Sequence, residues 1–227
     1  MPEGVFTSFV IWAVIWIFLL VIPPGSTSIF AAYRLNFCHG VISTVLALCA
    51  LKSLVPENFC TMCTISYFVV DFLNIMLNDF VWKVPSYQNP QNRRVEYAHH
   101  LFCLTVGITS QFCHKSFCTF DKNPFIYLMF AEFSTPFLML WRHYGGDILG
   151  AIFVVTFFGC RIIYHGFIFI PHCMRVCIPA IGYGFGIPYN LLNCYFFYMI
   201  MKKVLKPKKG EPAGEAGVDD KIKKGWL

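Results

Sequence analysis

Apolar residues run along this chain in long blocks, and the short polar breaks between them divide it into seven. Crossing the hydrocarbon of a bilayer takes about 20 apolar residues in a helix, because that layer is roughly 30 Å thick and a helix rises about 1.5 Å per residue. Segments 5–22, 37–55, 59–82, 97–117, 124–141, 148–170 and 176–201 approach or exceed that length. The pattern predicts an all-α, polytopic membrane protein of seven transmembrane helices. Pro23-Pro24-Gly25-Ser26 ends the first block sharply, and Asn89-Pro90-Gln91-Asn92 marks the longest polar connection. The first block differs from a cleaved signal peptide: Glu3 precedes it with no Lys or Arg, and its apolar run exceeds a usual signal core. It is retained as a span.

Composition agrees with this reading. Of 227 residues, 57% are hydrophobic and 13% charged, with a mean hydropathy of +0.59, more apolar surface than a water-soluble core of this length absorbs. The net charge of +6 does not point to nucleic acid, because Lys and Arg are sparse through the body and collect after Met201. Eleven Cys are present, but Cys49, Cys103, Cys160 and Cys194 lie inside apolar runs, where a thiol behaves as a small hydrophobe. Mostly reduced, structural cysteines are expected.

Charge also sets an orientation. The connections after the first, third and fifth spans hold Arg34, Lys83, Arg93, Arg94 and Arg142, and the tail adds eight Lys to the same side. The opposite connections hold Lys52, Lys115, Lys122 and Arg175. Positive charge favours the cytosolic face, so a lumenal N-terminus and a cytosolic C-terminus are expected. Residues 206–227 have little apolar content and are read as a disordered basic tail. Lys202, Lys203, Lys206, Lys208 and Lys209 are placed to meet anionic headgroups, although ordinary topogenic charge explains them more simply. Lys223 and Lys224 fall one residue off a dilysine retrieval spacing.

Ionisable residues inside a span are costly and usually face the bundle interior. Asp71, Glu132 and Arg161 fall near mid-membrane on the third, fifth and sixth spans, where a carboxylate beside a guanidinium offsets part of the desolvation cost of each. His165 lies one helical turn beyond Arg161. A second set, His39, Asp79, His99 and His100, lies nearer the cytosolic face. Adjacent helical residues point about 100° apart, so His99 and His100 cannot both face one direction. An imidazole near Asp71 or Asp79 has the chemistry of a general base or nucleophile. The seven His show no repeated histidine-box spacing, which argues against a di-iron centre, and no cofactor or metal is assigned. No Walker loop, dinucleotide-binding glycine pattern or nucleophile elbow occurs. The glycines of Gly182-Tyr183-Gly184-Phe185-Gly186 suit close helix packing or a bend with Pro188.

Five segments then form an ordered set: Cys38-His39-Gly40 with Ile42-Ser43-Thr44; Tyr67-Phe68-Val69-Val70-Asp71; Glu96-Tyr97-Ala98-His99-His100; Ala131-Glu132-Phe133-Ser134-Thr135-Pro136-Phe137; and Phe157-Phe158-Gly159-Cys160-Arg161. In this order they resemble the TLC (TRAM, Lag1 and CLN8) superfamily, most closely the branch containing transmembrane protein 56. The resemblance covers the second to seventh spans. It divides the chain into a first helix and connection at 1–35, a TLC domain at 36–205 and the tail at 206–227. It implies a helical bundle around a cavity for long acyl chains, in the endoplasmic reticulum or another secretory-pathway membrane. In ceramide synthases of this superfamily a His pair and acidic residues serve acyl transfer from acyl-CoA, and the pair maps onto His99 and His100. The sequence departs downstream, where Glu132 to Phe137 replaces the signature of those enzymes.

Two functions of different class follow. One is a non-catalytic protein of lipid homeostasis that binds, senses or moves membrane lipids with long acyl chains. The other is an acyltransferase in which His99 or His100 acts as base or nucleophile, Asp71 or Asp79 holds the imidazole, and His39, Glu132 and Arg161 contact the substrate, with acyl-CoA as donor. A third reading, an ion or proton transporter using Asp71, Glu132 and Arg161, finds no inverted repeat to support it.

Overall fold

The computed structural model describes residues 4–21, 28–82 and 90–205. The Pro23-Pro24-Gly25-Ser26 break, Lys83 and the tail 206–227 lie outside the described residues. The described chain is helical, with no strand and one isolated backbone bridge between Cys118 and Cys177. In order, the helices are α1 (Val5–Val21), α2 (Ser28–Leu51), α3 (Glu57–Met76), α4 (Pro90–Phe117), α5 (Pro124–Leu128), α6 (Thr135–Tyr144), α7 (Asp147–Phe157), α8 (Ile170–Val176) and α9 (Pro179–Val204). A π-helical turn, Leu77–Val81, extends α3; a 3-10 segment, Met129–Ser134, joins α5 to α6; and a π-helical stretch, Phe158–Phe169, joins α7 to α8.

Four continuous helical stretches are long and apolar enough to cross a membrane: Ala31–Leu51, Glu57–Val81, Pro124–Tyr144 and Asp147–Val176. The helix α1 is apolar but shorter. The helices α4 and α9 have the length, but polar residues such as His99, His100, Gln111, Asn190 and Asn193 interrupt their apolar content.

The core centres on α3, which is buried without a break from Cys60 to Phe68, as expected of a helix packed on all sides. Helix α1 docks on it through two indoles: Trp12 Nε1 donates to the Phe59 carbonyl at 3.1 Å and Trp16 Nε1 to the Cys63 carbonyl at 3.0 Å. Their rings stack with centroids 5.6 Å apart. Helix α2 crosses the α5–α6 rod at Gly40, where an added Cβ would sit 2.6 Å from the Pro136 ring. Only glycine lets the two backbones approach so closely.

One end of the bundle is fastened by side chains and a disulfide. Lys122 Nζ donates to Ser53 Oγ at 2.8 Å and lies 3.3 Å from Glu57, whose carboxylate also accepts from the Asn123 backbone N–H at 2.8 Å. Cys118 and Cys177 are bonded, and beside them Thr119 N–H donates to the Val176 carbonyl at 3.0 Å and Ile178 N–H to the Phe117 carbonyl at 2.8 Å. Nine of the eleven cysteines are free, in line with the expectation, but these two depart from it. They sit in the connections between helices, away from the apolar runs on which the expectation rested. The expected close packing of the glycine run holds at two positions: an added Cβ at Gly182 would meet the Met174 backbone at 3.1 Å and at Gly186 the Ile170 side chain at 2.9 Å.

Candidate functional site

Four of the ionisable residues inside the helices lie where regular α geometry is lost, while His39, Asp71, His99 and His100 lie in regular α-helix. Asp79 lies in the π-turn after α3, Glu132 in the 3-10 segment, and Arg161 and His165 in the π-helical stretch. π-Helical geometry is rare in helices and is frequently found at functional sites. Pro136 gives a local reason for the 3-10 segment: it has no N–H to offer the Glu132 carbonyl, and its ring crowds that oxygen.

The 3-10 segment and the long π-helical stretch meet in a buried polar cluster. Arg161 Nη2 donates to Glu132 Oε1 at 3.4 Å and Arg161 Nε to the Ala131 carbonyl at 3.1 Å, while Thr135 Oγ1 donates to Glu132 Oε2 at 2.8 Å. The expected pairing of Glu132 with Arg161 is therefore present. Asp71 belongs to a different arrangement. His100 Nδ1 lies 3.0 Å from the Glu96 carbonyl, which can only accept, so Nδ1 carries a hydrogen. His100 Nε2 lies 2.9 Å from Asp71 Oδ2 and shares a proton with that carboxylate. Tyr67 Oη donates to Asn36 Oδ1 and lies 3.4 Å from the same carboxylate oxygen.

His39 is fully buried and stacked flat on Tyr67, with centroids 3.5 Å apart and planes at 5°. Its Nδ1 is 3.8 Å from Glu132 Oε2, and neither ring nitrogen makes a hydrogen bond. His165 is also fully buried, with Nδ1 2.6 Å from the Cys160 carbonyl and Nε2 3.0 Å from the Tyr127 carbonyl. It ties the π stretch to α5.

The two members of the His pair face different surroundings, as their angular separation requires. His100 is locked to Asp71 and the α4 backbone. His99 instead lines a narrow cavity with Thr64, Phe68, Cys103, Met129, Glu132, Arg161 and Tyr189. Its nearest polar neighbour is Cys103 Sγ, 3.7 Å from both ring nitrogens. This inner chamber shares Phe102, Val106, Leu128 and Tyr189 with an outer slot that runs between α4 and α9 to the Cys118–Cys177 disulfide. Apolar atoms dominate the slot's lining.

Asp79 does not join the His pair. It accepts from Tyr97 Oη at 2.8 Å and pairs with Arg93 Nε at 2.8 Å, and Arg93 Nη1 reaches Glu96 at 2.6 Å. Burial pushes the Glu96 carboxyl above its ordinary range, with Arg93 opposing that shift. The structure thus brings His39, Asp71, His99, His100, Glu132 and Arg161 toward one buried region and places Asp79 at an end of the bundle.

Thr64 and Tyr189 line the chamber without having been singled out in the sequence, and Cys103, read there as a small hydrophobe in an apolar run, lines it too. Thr64 was the most accessible of them to sequence reasoning. It precedes Asp71 by seven residues, with Phe68 between, and so shares one face of α3. Among the described residues no group of three or more His, Cys, Asp or Glu comes together that could hold a metal ion. Compared with protein-family models, with curated proteins and with solved structures, the chain matches none.

Proposed function

We propose that this chain is a seven-span membrane protein of the TLC type that holds the acyl chain of a lipid between α4 and α9 and acts in lipid homeostasis. The observation that carries the reading is the apolar slot that reaches the Cys118–Cys177 disulfide and adjoins, across Phe102, Val106, Leu128 and Tyr189, an inner chamber lined by His99, Glu132 and Arg161. A site of apolar walls with a few converging polar groups is the usual form of a small-molecule site. Membership of the TLC superfamily is proposed from the five ordered segments, each of which contributes a residue to the buried region: His39, Asp71, the His99-His100 pair, Glu132 and Arg161.

The disulfide supports the orientation too. Disulfides persist in oxidising compartments, and this one lies at the end opposite Arg34, Arg93 and Lys202. A cytosolic C-terminus in a secretory-pathway membrane fits both this bond and the charge pattern.

Lipid extraction and mass spectrometry of the purified protein test the reading. Wild type should retain a stoichiometric acyl lipid, and Val106→Trp, which fills the slot, should lose it. Equal lipid content in the two would overturn the reading.

A second reading, acyl transfer from acyl-CoA, is favoured by His99, whose ring nitrogens face the chamber without an oxygen partner. Incubation with labelled long-chain acyl-CoA and a panel of amine and hydroxyl acceptors should yield a product that His99→Ala abolishes. Absence of turnover in wild type would leave lipid binding alone.

A further inference from the structure

The inner chamber carries information about the head of its ligand. Thr64 is 2% exposed and its hydroxyl has no hydrogen-bond partner. Thr61 donates to the Glu57 carbonyl at 3.1 Å and Thr44 to the Gly40 carbonyl at 2.7 Å, the local bonds by which buried helical threonines satisfy themselves; the buried Ser43 hydroxyl also lacks a partner, but of the two only Thr64 lines the chamber. A buried hydroxyl left without a partner costs about 1–3 kcal/mol, and such a group calls for a specific explanation. Thr64 lines the chamber together with His99, whose ring nitrogens have the Cys103 thiol, 3.7 Å away, within hydrogen-bonding range. A hydroxyl and an imidazole together offer one site to donate from and one to accept at.

Charge limits what can meet them. Among the described residues, Glu132 and Arg161 are the only acidic or basic side chains lining either the chamber or the slot, setting His99 aside, and they lie 3.4 Å from each other. An anionic head would compete with Glu132 for Arg161, and a cationic head with Arg161 for Glu132, loosening the pair in either case. Loosening a buried ion pair in this way is unfavourable. An uncharged polar head disturbs neither partner.

From this geometry we propose that the cavity selects a single-chain lipid with an uncharged, hydrogen-bonding head, such as a hydroxyl, amide or ester, seated between Thr64 and His99. Its chain extends along the slot toward the Cys118–Cys177 disulfide. This deepens the lipid-binding reading above and rests on it.

The test uses the full-length protein in phosphatidylcholine nanodiscs and three photoactivatable probes of one chain length: a fatty alcohol, a lysophosphatidate and a hydrocarbon without a head. Crosslinked peptides are read by mass spectrometry at 102–106 and 182–189, the cavity-lining stretches of α4 and α9. The alcohol should label these stretches at least about tenfold more than the lysophosphatidate, and Thr64→Val should reduce alcohol labelling by about fivefold while leaving hydrocarbon labelling unchanged. Equal labelling by alcohol and lysophosphatidate, or a Thr64→Val protein that labels like wild type, overturns the head-group assignment while leaving the cavity as a lipid site. Absence of labelling by all three probes overturns both the assignment and the reading on which it rests.

Discussion

Helices α1 and α9 both lie along the bundle, yet they attach to it by opposite means. Helix α1 buries Val5, Ser8, Trp12 and Trp16 and fixes its height on α3 with two indole hydrogen bonds. Helix α9 is longer but buries only Gly182, Tyr189 and Asn193, and it packs sparsely against α4, with the slot between them. The first side is an interface of packed aromatic rings fixed by two hydrogen bonds. The second is a wall held at a distance. A bundle that confined its rigid packing to one side would keep a binding volume open on the other, and substitutions on the two sides should therefore differ in kind.

The largest expected effect lies where the two sides meet. Arg161→Leu leaves Glu132 buried without its partner and should cost about 3–5 kcal/mol, read as a lower unfolding temperature or loss of monodisperse protein in detergent. Replacing both residues with leucine should recover most of that loss, because the penalty comes from the orphaned charge. A single variant as stable as wild type would mean that this pair does not brace the cavity wall.

On the α1 side, Trp16→Ala removes a fully buried indole that donates to Cys63 and packs edge-on against His39 and Tyr67. A loss of about 3–5 kcal/mol is expected from such a truncation. Phe185→Ala on the slot wall should cost much less, since Phe185 is only partly buried and already borders empty space. Equal losses in thermal unfolding would erase the contrast between the two sides.

The contrast also explains what was legible in the sequence. Helical class and the order of the apolar blocks follow from hydrophobic runs, which composition makes plain. The ion pair of Glu132 with Arg161 was legible because a span offers few other partners for either charge. Asp79 was assigned with Asp71 because both lie on the third span near the His pair, but the π-turn at Leu77–Val81 and the side chains of Arg93 and Tyr97 take it elsewhere. No spacing rule for a regular helix foresees such a turn. The docking of α1 was also hidden, because a tryptophan in an apolar run looks the same whether it faces lipid or a neighbouring carbonyl.

The disulfide gives an intermediate effect. Cys118→Ser opens a loop of sequence separation 59 and should lower stability by about 2–4 kcal/mol. It fastens the α4–α5 connection to the α8–α9 connection, so the loss should fall on the slot side. Hydrogen exchange should rise at 177–189 and stay unchanged at 5–16, where the indoles hold α1 independently. Uniform acceleration across both ranges would show that the two sides unfold as one unit.

The smallest expected effect is the one that separates the sides by sign. Ala47→Val adds two methyl groups to a fully buried position in the core shared by α1, α2 and α3. Overpacking of that kind costs about 1–3 kcal/mol. Val106→Phe adds volume at a buried position that faces both the inner chamber and the outer slot. Filling an empty apolar space commonly adds about 0.5–2 kcal/mol, so this variant should unfold at a higher temperature than wild type when no lipid is bound. Bound lipid stabilises only a protein with room for it, so added lipid should raise the unfolding temperature of wild type and leave Val106→Phe unmoved. A variant destabilised like Ala47→Val would show instead that the slot is closed in solution and that α9 packs on α4 as tightly as α1 packs on α3.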